Sequence, residues 1–167
     1  MNRFLALSVV SVAVLLHCSG CYSFTGGSVD KHIKTIAIPL VDDQSGLGDP
    51  GLRERFTTEL TNLFISDNSL QVADRTTADS ILEGVIEPVS DAPSVVSKGE
   101  AVTKRRITLT VKFLFQDKIQ RKKLWEKSFS EWGDYDSGGG TSQRDAGLRE
   151  AIKKVADDIL RETVSSW

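Results

Sequence analysis

The chain has 167 residues and a formal net charge of −2 at pH 7. Its length suits one domain, and its mildly acidic balance disfavours nucleic acid as a main partner, because phosphate binding requires a basic surface. The two cysteines, Cys18 and Cys21, both lie near the start. The rest of the sequence therefore provides neither a disulfide nor a thiolate metal site.

The first element in chain order is an apolar run over residues 4–16, which follows a single positive charge. A membrane span needs about 20 apolar residues, so this run is too short, and its length is typical of the apolar region of an export signal. Ser19 and Gly20 follow, and then Cys21. Small side chains before a thiol are the pattern that a lipoprotein signal peptidase processes. We therefore predict a lipoprotein signal peptide over residues 1–20.

Cys21 is the predicted lipid attachment site, which would carry an S-diacylglycerol and an N-acyl chain. Two or three such chains hold a protein firmly on a membrane, whereas one chain binds weakly and reversibly. An ordinary secretory signal with a coincidental cysteine is the alternative. Residues 21–32, rich in Gly, Ser and Thr, form the predicted tether, and the remaining residues 33–167 form the predicted domain.

That domain begins with strand and helix patterns in turn. Residues 33–40 are almost continuously apolar, which indicates a buried strand. Asp49 and Pro50 mark a helix start, since one can cap the first N–H groups and the other needs no N–H partner. Apolar residues at helical spacing extend this helix to about Ile65. Further strands are expected at residues 70–73, 80–86, 102–115 and 123–135, with loops at 41–48 and 91–100.

The last two strands and the final helix carry the strongest patterns. Apolar and polar residues alternate along residues 102–115, which predicts one buried and one solvated face. In the next strand the alternation slips between Leu124 and Trp125, which predicts a bulge. A hinge at residues 136–140 precedes the helix, which Thr141 or Ser142 would cap. Its apolar stripe consists of Leu148, Ile152, Val155, Ile159 and Thr163.

These elements predict an α+β fold. Two helices on one face of a mixed, roughly four-stranded β-sheet, in a two-layer sandwich, would bury both apolar stripes. No catalytic motif and no metal-ligand spacing occurs in the sequence. His32 lacks a second ligand nearby, and we expect a hydrogen-bonded surface histidine. Trp125, Trp132 and Trp167 are expected in the core rather than in a carbohydrate platform. We predict no enzyme activity, no metal and no cofactor.

Basic residues cluster where the long strand begins. Alternation places Lys104, Arg106 and Lys112 on the outward face, with Arg105 and Lys98 nearby. Like charges two residues apart on a strand repel, and an anionic ligand or partner would relieve that repulsion. The alternative is protection of an exposed sheet edge, since lysine on an edge strand deters pairing with other chains.

Several stretches, in this order, are shared with a known family. They are Cys21-Tyr22-Ser23-Phe24, H-I-K-T-I-A-I-P-L (32–40), A-D-S-I-L-E-G-V-I (78–86), R-I-T-L-T-V-K-F-L-F (106–115), L-W-E-K-S-F-S (124–130) and A-I-K-K-V-A-D-D-I-L (151–160). The ordered set resembles the lipopolysaccharide-assembly lipoprotein family, LptE, and covers nearly the whole chain after the signal. The family often has Gly between the lipidated cysteine and the tyrosine, and this chain lacks it.

The resemblance implies an outer-membrane lipoprotein, lipid-anchored on the periplasmic side. It would plug the β-barrel translocon that inserts lipopolysaccharide, LptD, assist assembly of that barrel and bind lipopolysaccharide. Basic surface residues are responsible for binding in the family, and lipid A phosphates are their natural complement. The candidates in this chain, chosen by charge and place, are Lys98, Lys104, Arg105 and Arg106.

A lipoprotein activator of peptidoglycan synthesis is the alternative function. Its β-α-β start also resembles residues 36–39 followed by residues 49–52. The long strand pair and the final helix favour the LptE family. Co-purification separates the two, since the first function requires an outer-membrane barrel partner and the second a penicillin-binding protein.

Overall fold

The computed structural model describes residues 30–94 and 104–165, which form a mixed sheet and two long helices. Cys21, Lys98 and Trp167 lie outside the described residues. The elements are β1 (Thr35–Ala37), β2 (Asp42–Asp43), α1 (Leu52–Asp67), β3 (Gln71–Val72), β4 (Ser80–Ile86), β5 (Ser90–Pro93), β6 (Lys104–Asp117), β7 (Lys122–Asp136), a 3-10 turn (Ser137–Gly139) and α2 (Gly140–Ser165).

The seven strands form one mixed sheet in the order β3-β1-β4-β6-β5, with β2 also paired to β4 and β7 also paired to β6. The strands β1 and β2 run parallel to β4, while β4, β5 and β7 run antiparallel to β6. The prediction of an α+β fold with a mixed sheet is confirmed. The expected count of roughly four strands agrees only approximately, since the sheet also includes β2, β3 and β5, which are two to four residues long.

The strand β5 shows why the count was only approximate. Three of its four residues, 91–93, were expected to lie in the loop at residues 91–100, which contains Pro93. Within residues 30–94 and 104–165, this strand pairs only with β6, over residues 105–108. A strand with one unpaired edge tolerates proline, since that edge needs no N–H donor.

The helix α1 buries the stripe that its sequence predicts. Leu52, Phe56, Leu60 and Phe64 are all buried. The N–H of Gly51 donates to the Asp49 carboxylate at 3.0 Å, so the aspartate stabilises the turn just before the helix rather than the helical N–H groups. At the other end, Asn68 adopts a left-handed conformation (φ 58°) and its N–H donates to the Phe64 carbonyl at 3.0 Å, which closes the last turn.

The two longest strands, β6 and β7, pair along their full length. The residue pairs Phe115–Trp125 and Gln116–Lys123 are opposite each other, so Leu124 is the extra residue of a bulge. This confirms the predicted slip between Leu124 and Trp125. On one face of β6, alternate side chains are fully buried: Ile107, Leu109, Val111, Phe113 and Phe115.

Both helices contact that same face of β6. The rings of Phe56 in α1 and Phe113 are 5.9 Å apart. In α2, a Cβ added to Gly147 would lie 3.3 Å from Ile107, and one added to Gly133 of β7 would lie 2.0 Å from the Gly147 carbonyl oxygen. The helix therefore crosses β7 with backbone against backbone, which only glycine at this position of the strand permits.

The start of α2 differs from the prediction. The helix begins at Gly140, so Thr141 and Ser142 lie inside it and do not precede it as caps. The expected hinge at residues 136–140 is the end of β7 followed by a 3-10 turn. The predicted stripe is confirmed, because Leu148, Ile152, Val155, Ile159 and Thr163 are all buried.

The expectation for the tryptophans is half right. Trp125 is buried and its ring lies 5.7 Å from that of Phe115. Trp132 is 40% exposed. The two are seven residues apart in one strand, and an odd separation places them on opposite faces. His32 is hydrogen-bonded as expected, with its Nε2 2.6 Å from Asp117 Oδ2.

Candidate functional site

The basic residues selected from the sequence lie at the start of β6, but on two faces of the sheet. Lys104 and Arg106 face away from the helices, whereas Arg105 faces the helix side, since successive strand residues alternate. The structure therefore brings Lys104 and Arg106 together and separates Arg105 from them. Cys21 and Lys98 fall outside the described residues and stay predictions.

Arg105 is part of a network that joins three strands to α2. Its Nε donates to the Asp91 carboxylate at 2.9 Å. The Tyr135 hydroxyl and the Arg144 Nε donate to the same carboxylate at 2.8 and 2.9 Å. Burial alone would raise the pKa of Asp91, but hydrogen bonds from Arg144, Tyr135 and Arg105 hold that pKa below its usual value. Arg105 therefore has a structural role, because its hydrogen bonds are part of the network that joins the three strands to α2.

The two outward basic residues each lie opposite a carboxylate of β7. Arg106 donates two hydrogen bonds to Asp134, at 2.7 and 2.9 Å. Lys104 lies 4.0 Å from Asp136. The Arg106 guanidinium holds the pKa of Asp134 below its usual range. Cross-strand partners therefore compensate the repulsion that the sequence suggested. Edge protection is wrong as an explanation, because β6 is paired on both sides.

Trp132 extends this end of the outward face into a mixed aromatic and basic surface. The Arg106 guanidinium carbon lies 4.7 Å from the centre of the indole ring, and the Lys154 ammonium lies 5.7 Å from it. Lys154 also donates to the Trp132 carbonyl at 3.0 Å. Cations at these distances are attracted to the ring face. The sequence could have indicated this position, because alternation counted from the bulge at Leu124 places Trp132 on the outward face.

The face of the sheet opposite the helices holds a second surface, which the sequence reading missed. It contains a cleft of about 450 Å³. The apolar side chains Leu40, Val85 and Leu114 line this cleft, and Leu40 is 44% exposed. Leu114 is an apolar residue among the polar residues on the outward face of β6. This exception in the sequence could have indicated the surface. We call this surface, with its three apolar side chains, the bare sheet face.

Ion pairs border the bare sheet face. Glu126 accepts from Lys112 at 2.7 Å and from Lys123 at 2.9 Å. The hydrogen bond from Lys112, followed by that from Lys123, lowers the pKa of Glu126 to about 2. Arg75 and Glu83 form a further pair at 2.7 Å. The rim is thus charged on both sides and the floor is apolar, which is the usual plan of a surface that contacts another protein.

Two chemical features are absent from the residues that the structure describes. No three His, Cys, Asp or Glu side chains in those ranges converge where they could hold a metal ion. Neither α1 nor α2, nor any other helix within residues 30–94 and 104–165, combines the length and the apolarity that crossing a bilayer requires.

The described residues form an α+β fold with a charged strand end and a bare sheet face. Solved structures share this fold at low sequence identity. The protein XCC0632 of Xanthomonas campestris superposes with a TM-score of 0.61 at 10% identity, over 78% of this chain and 83% of that one. A minor lipoprotein of Acinetobacter baumannii gives 0.54 at 17%, over 84% and 94%. The rare lipoprotein B of Shewanella oneidensis gives 0.54 at 12%, over 77% and 92%.

The sequence itself identifies the family. The family described as LptE, lipopolysaccharide-assembly, matches residues 33–163. This match spans most of the chain, and the chain belongs to the LptE family. The resemblance noted from the ordered sequence segments is thereby confirmed. No curated protein sequence matches the chain significantly.

Proposed function

We propose that this protein is an outer-membrane lipoprotein subunit of the translocon that assembles lipopolysaccharide. In this role it plugs an LptD-type β-barrel, assists the assembly of that barrel and binds lipopolysaccharide, without catalysing a reaction. The observation that carries the proposal is the LptE family match across residues 33–163. The lipoproteins that share the fold support it. No observation favours an activator of peptidoglycan synthesis.

Lipopolysaccharide binding is assigned to the outward basic residues where β6 begins. Lys104 and Arg106 are exposed, and ion pairs of exposed groups contribute only about 0 to 1 kcal/mol of stability. A lipid A phosphate can therefore replace Asp136 or Asp134 as their partner at little cost, and a phosphate makes stronger charge-assisted hydrogen bonds. Lys98, close in sequence, would join them. Arg105 contributes less, because Asp91 already occupies it.

The bare sheet face is the surface that we assign to the barrel partner. Its exposed Leu40 and partly exposed Leu114 would be covered by the wall of the barrel, and burial of apolar area is favourable. The charged rim would supply orientation, since complementary charges fix the register of an interface more than its affinity.

The membrane anchor is the lipid on Cys21. With the Cys21→Ala substitution, we expect a folded protein that is mislocalised and recovered in smaller amounts with outer membranes, because the barrel partner alone then holds it there. Membrane fractionation of the variant and mass spectrometry of the mature terminus test this. Normal amounts of the variant in the membrane fraction, or an unacylated mature terminus, would disprove the anchor.

Purification of the native complex tests the central proposal. The tagged full chain, extracted from membranes in mild detergent, should bring with it a large outer-membrane barrel and lipopolysaccharide. The paired substitution Leu40→Glu and Leu114→Glu should reduce recovery of the barrel. The matched control is Ile65→Glu, at a position that is 59% exposed on α1 and far from the bare sheet face. Recovery of a penicillin-binding protein instead of a barrel would overturn the proposal.

A further inference from the structure

The turn between β6 and β7 and the first residues of β7 hold a cluster of basic side chains, two of which form no ion pair with the described residues. The turn residues 118–121 and the first two residues of β7, Lys122 and Lys123, have the sequence Lys-Ile-Gln-Arg-Lys-Lys, and we call this segment, residues 118–123, the basic tip. Arg121 and Lys122 are exposed, and no carboxylate of the described residues lies within ion-pair distance of either. Lys123 shares Glu126 with Lys112. A shallow cleft of about 330 Å³ runs along these basic side chains.

The basic tip is rigidly connected to the body. Asp117, which is buried, accepts hydrogen bonds from the N–H groups of Ile119 and Gln120 at 2.8 and 2.9 Å. Lys118 donates its N–H to the Asp79 carbonyl at 2.8 Å and its ammonium to the Ala78 carbonyl at 2.9 Å. These bonds fix the turn, so its outer side chains are presented in one arrangement.

An apolar side chain lies among the charges. Ile119 is 57% exposed at the outermost part of the turn, between Lys118 and the two uncompensated cations. An exposed isoleucine surrounded by Lys and Arg is the combination that binds membrane surfaces, because cations bind headgroup phosphates while an apolar group enters the boundary below them.

The start of the described chain lies beside the same turn. His32 hydrogen-bonds to Asp117 at 2.6 Å, so the chain enters the domain next to the basic tip. Eight residues separate Cys21 from Asp30, and a fully extended segment of that length reaches about 30 Å. A lipid on Cys21 would therefore keep Asp30, where the described chain begins beside the basic tip, within about 30 Å of the bilayer surface.

We propose that the basic tip binds the anionic phospholipid surface of the membrane in which the protein is anchored. Arg121 and Lys122 bind the headgroup phosphates, and Ile119 enters the boundary between headgroups and acyl chains. The inference rests on the proposed lipid anchor, which places this end of the molecule at a membrane. It assigns a second contact to that membrane, made by the folded domain itself.

A site-specific fluorophore tests the contact in the full acylated chain. Apart from the acylated Cys21, the sequence after the signal has no cysteine, so Gln120→Cys accepts a single environment-sensitive label. The probes are vesicles of phosphatidylcholine and vesicles enriched in phosphatidylglycerol. We expect a blue shift of the emission on the anionic vesicles that far exceeds the shift on neutral ones. High salt should suppress it, since salt screens exposed charges.

Charge reversal supplies the matched comparison. Each basic side chain near an anionic surface contributes about fivefold to partitioning, so Arg121→Glu with Lys122→Glu should lower the preference for anionic vesicles by at least about 20-fold. Arg149→Glu with Lys153→Glu makes the same charge change at exposed positions of α2 and should leave the preference unchanged. Equal signals on both vesicle types, or a preference that survives the first reversal, would overturn the proposal.

Two further arms separate the sources of failure. Flotation of the acylated chain with neutral vesicles, compared with Cys21→Ala, tests the anchor alone. If flotation shows that Cys21 does not anchor the chain, the emission shift of the label still shows whether the basic tip binds anionic vesicles. In the other arm, phosphatidylcholine vesicles carry lipopolysaccharide instead of phosphatidylglycerol. A shift on these vesicles only would assign the tip to lipopolysaccharide and overturn our proposal of a phospholipid contact.

Discussion

The two ends of the β6–β7 strand pair carry similar numbers of basic residues and differ in what surrounds them. At one end, Lys104 and Arg106 lie opposite Asp136 and Asp134. At the other end, Arg121 lies in the turn and Lys122 is opposite the buried Asp117, and neither cation forms an ion pair with a carboxylate of the described residues. A count of basic residues in a sequence therefore says little about the local field. Cross-strand neighbours decide it, and these depend on register.

The comparison also separates two kinds of surface. At the paired end, an anion that binds more strongly can replace the carboxylate partner of each cation. This suits a ligand that is bound and then released. The unpaired tip offers cations that attract any anionic surface from a distance, and salt weakens that attraction. The following four predictions test this difference, from the largest expected effect to the smallest.

The largest effect is expected at the contact between Gly133 and α2. A Cβ at this position would lie 2.0 Å from the Gly147 carbonyl oxygen, and backbone atoms cannot move aside cheaply. Gly133→Ala should lower the free energy of unfolding by about 3 kcal/mol, since overpacking of this kind costs about 1 to 3 kcal/mol or more. Urea denaturation measures it. Gly138→Ala is the control, because nothing lies within 4 Å of its Cβ, and an equal loss there would contradict this explanation.

The next effect is expected from Asp91, at the same end of the strands. With Asp91→Asn, Arg105 and Arg144 lose their shared charged partner while remaining partly buried. Because breaking such pairs leaves uncompensated charge, we expect a loss of about 2 kcal/mol in the free energy of unfolding. Asp134→Asn removes an exposed partner instead and should cost less than about 1 kcal/mol. Equal losses in the two variants would show that the Asp91 network has no special role.

A smaller effect is expected on ligand binding. Lys104→Glu with Arg106→Glu should weaken binding of lipopolysaccharide about tenfold at constant salt, since two charge-assisted hydrogen-bond donors to phosphate are lost. Circular dichroism should show an unchanged fold, because both side chains are exposed. Lys112→Glu, elsewhere on the same face, is the control. Unchanged affinity in the double variant would remove Lys104 and Arg106 from the binding site.

The smallest effect concerns pH and the basic tip. Burial would raise the pKa of Asp117, but hydrogen bonds from the backbone of Gln120 and from His32 keep it below its usual value. A carboxyl with a lowered pKa in the folded state adds stability above its unfolded pKa of about 4, and this stability is lost as the pH falls through the folded value.

Asp117→Asn keeps acceptors for the turn and removes the titration. The melting temperature of the variant should therefore fall less steeply between about pH 5 and pH 2 than that of the parent chain. Differential scanning calorimetry over this range measures the slope. A slope identical to that of the parent would show that Asp117 does not contribute to acid sensitivity.

Much of the fold follows from local patterns. The alternation in β6, the apolar stripe of α2 and the bulge at Leu124 can each be recognised from the spacing of apolar residues along one element. The structure confirms all three. These elements are long, so their patterns repeat often enough to be recognised. The short strands β2 and β5 depend on pairing with a neighbour that is distant in sequence, and two to four residues contain no repeating pattern. The short strand β3 lies within the strand that was expected at residues 70–73.

The candidate site was harder to predict, because its properties belong to pairs of strands. The sequence placed Lys104 and Arg106 on one face correctly, since alternation within β6 decides that. It could not show that Asp134 and Asp136 would neutralise them, because this requires the register of β7. Trp132 was expected in the core, although its odd separation from the buried Trp125 indicates the opposite face, where it is 40% exposed.

The length of the paired strands has a consequence for how the proposed plug would stand in its barrel. The 14 residues of β6 extend for about 45 Å, and the hydrocarbon layer of a bilayer is about 30 Å thick. An upright strand pair is therefore longer than the membrane is thick. In the proposed complex, this hairpin would present its turn at the inner surface and its open end at the level of the outer leaflet. Adding two residues to each strand would raise that open end by about 7 Å without rotating any side chain to the other face.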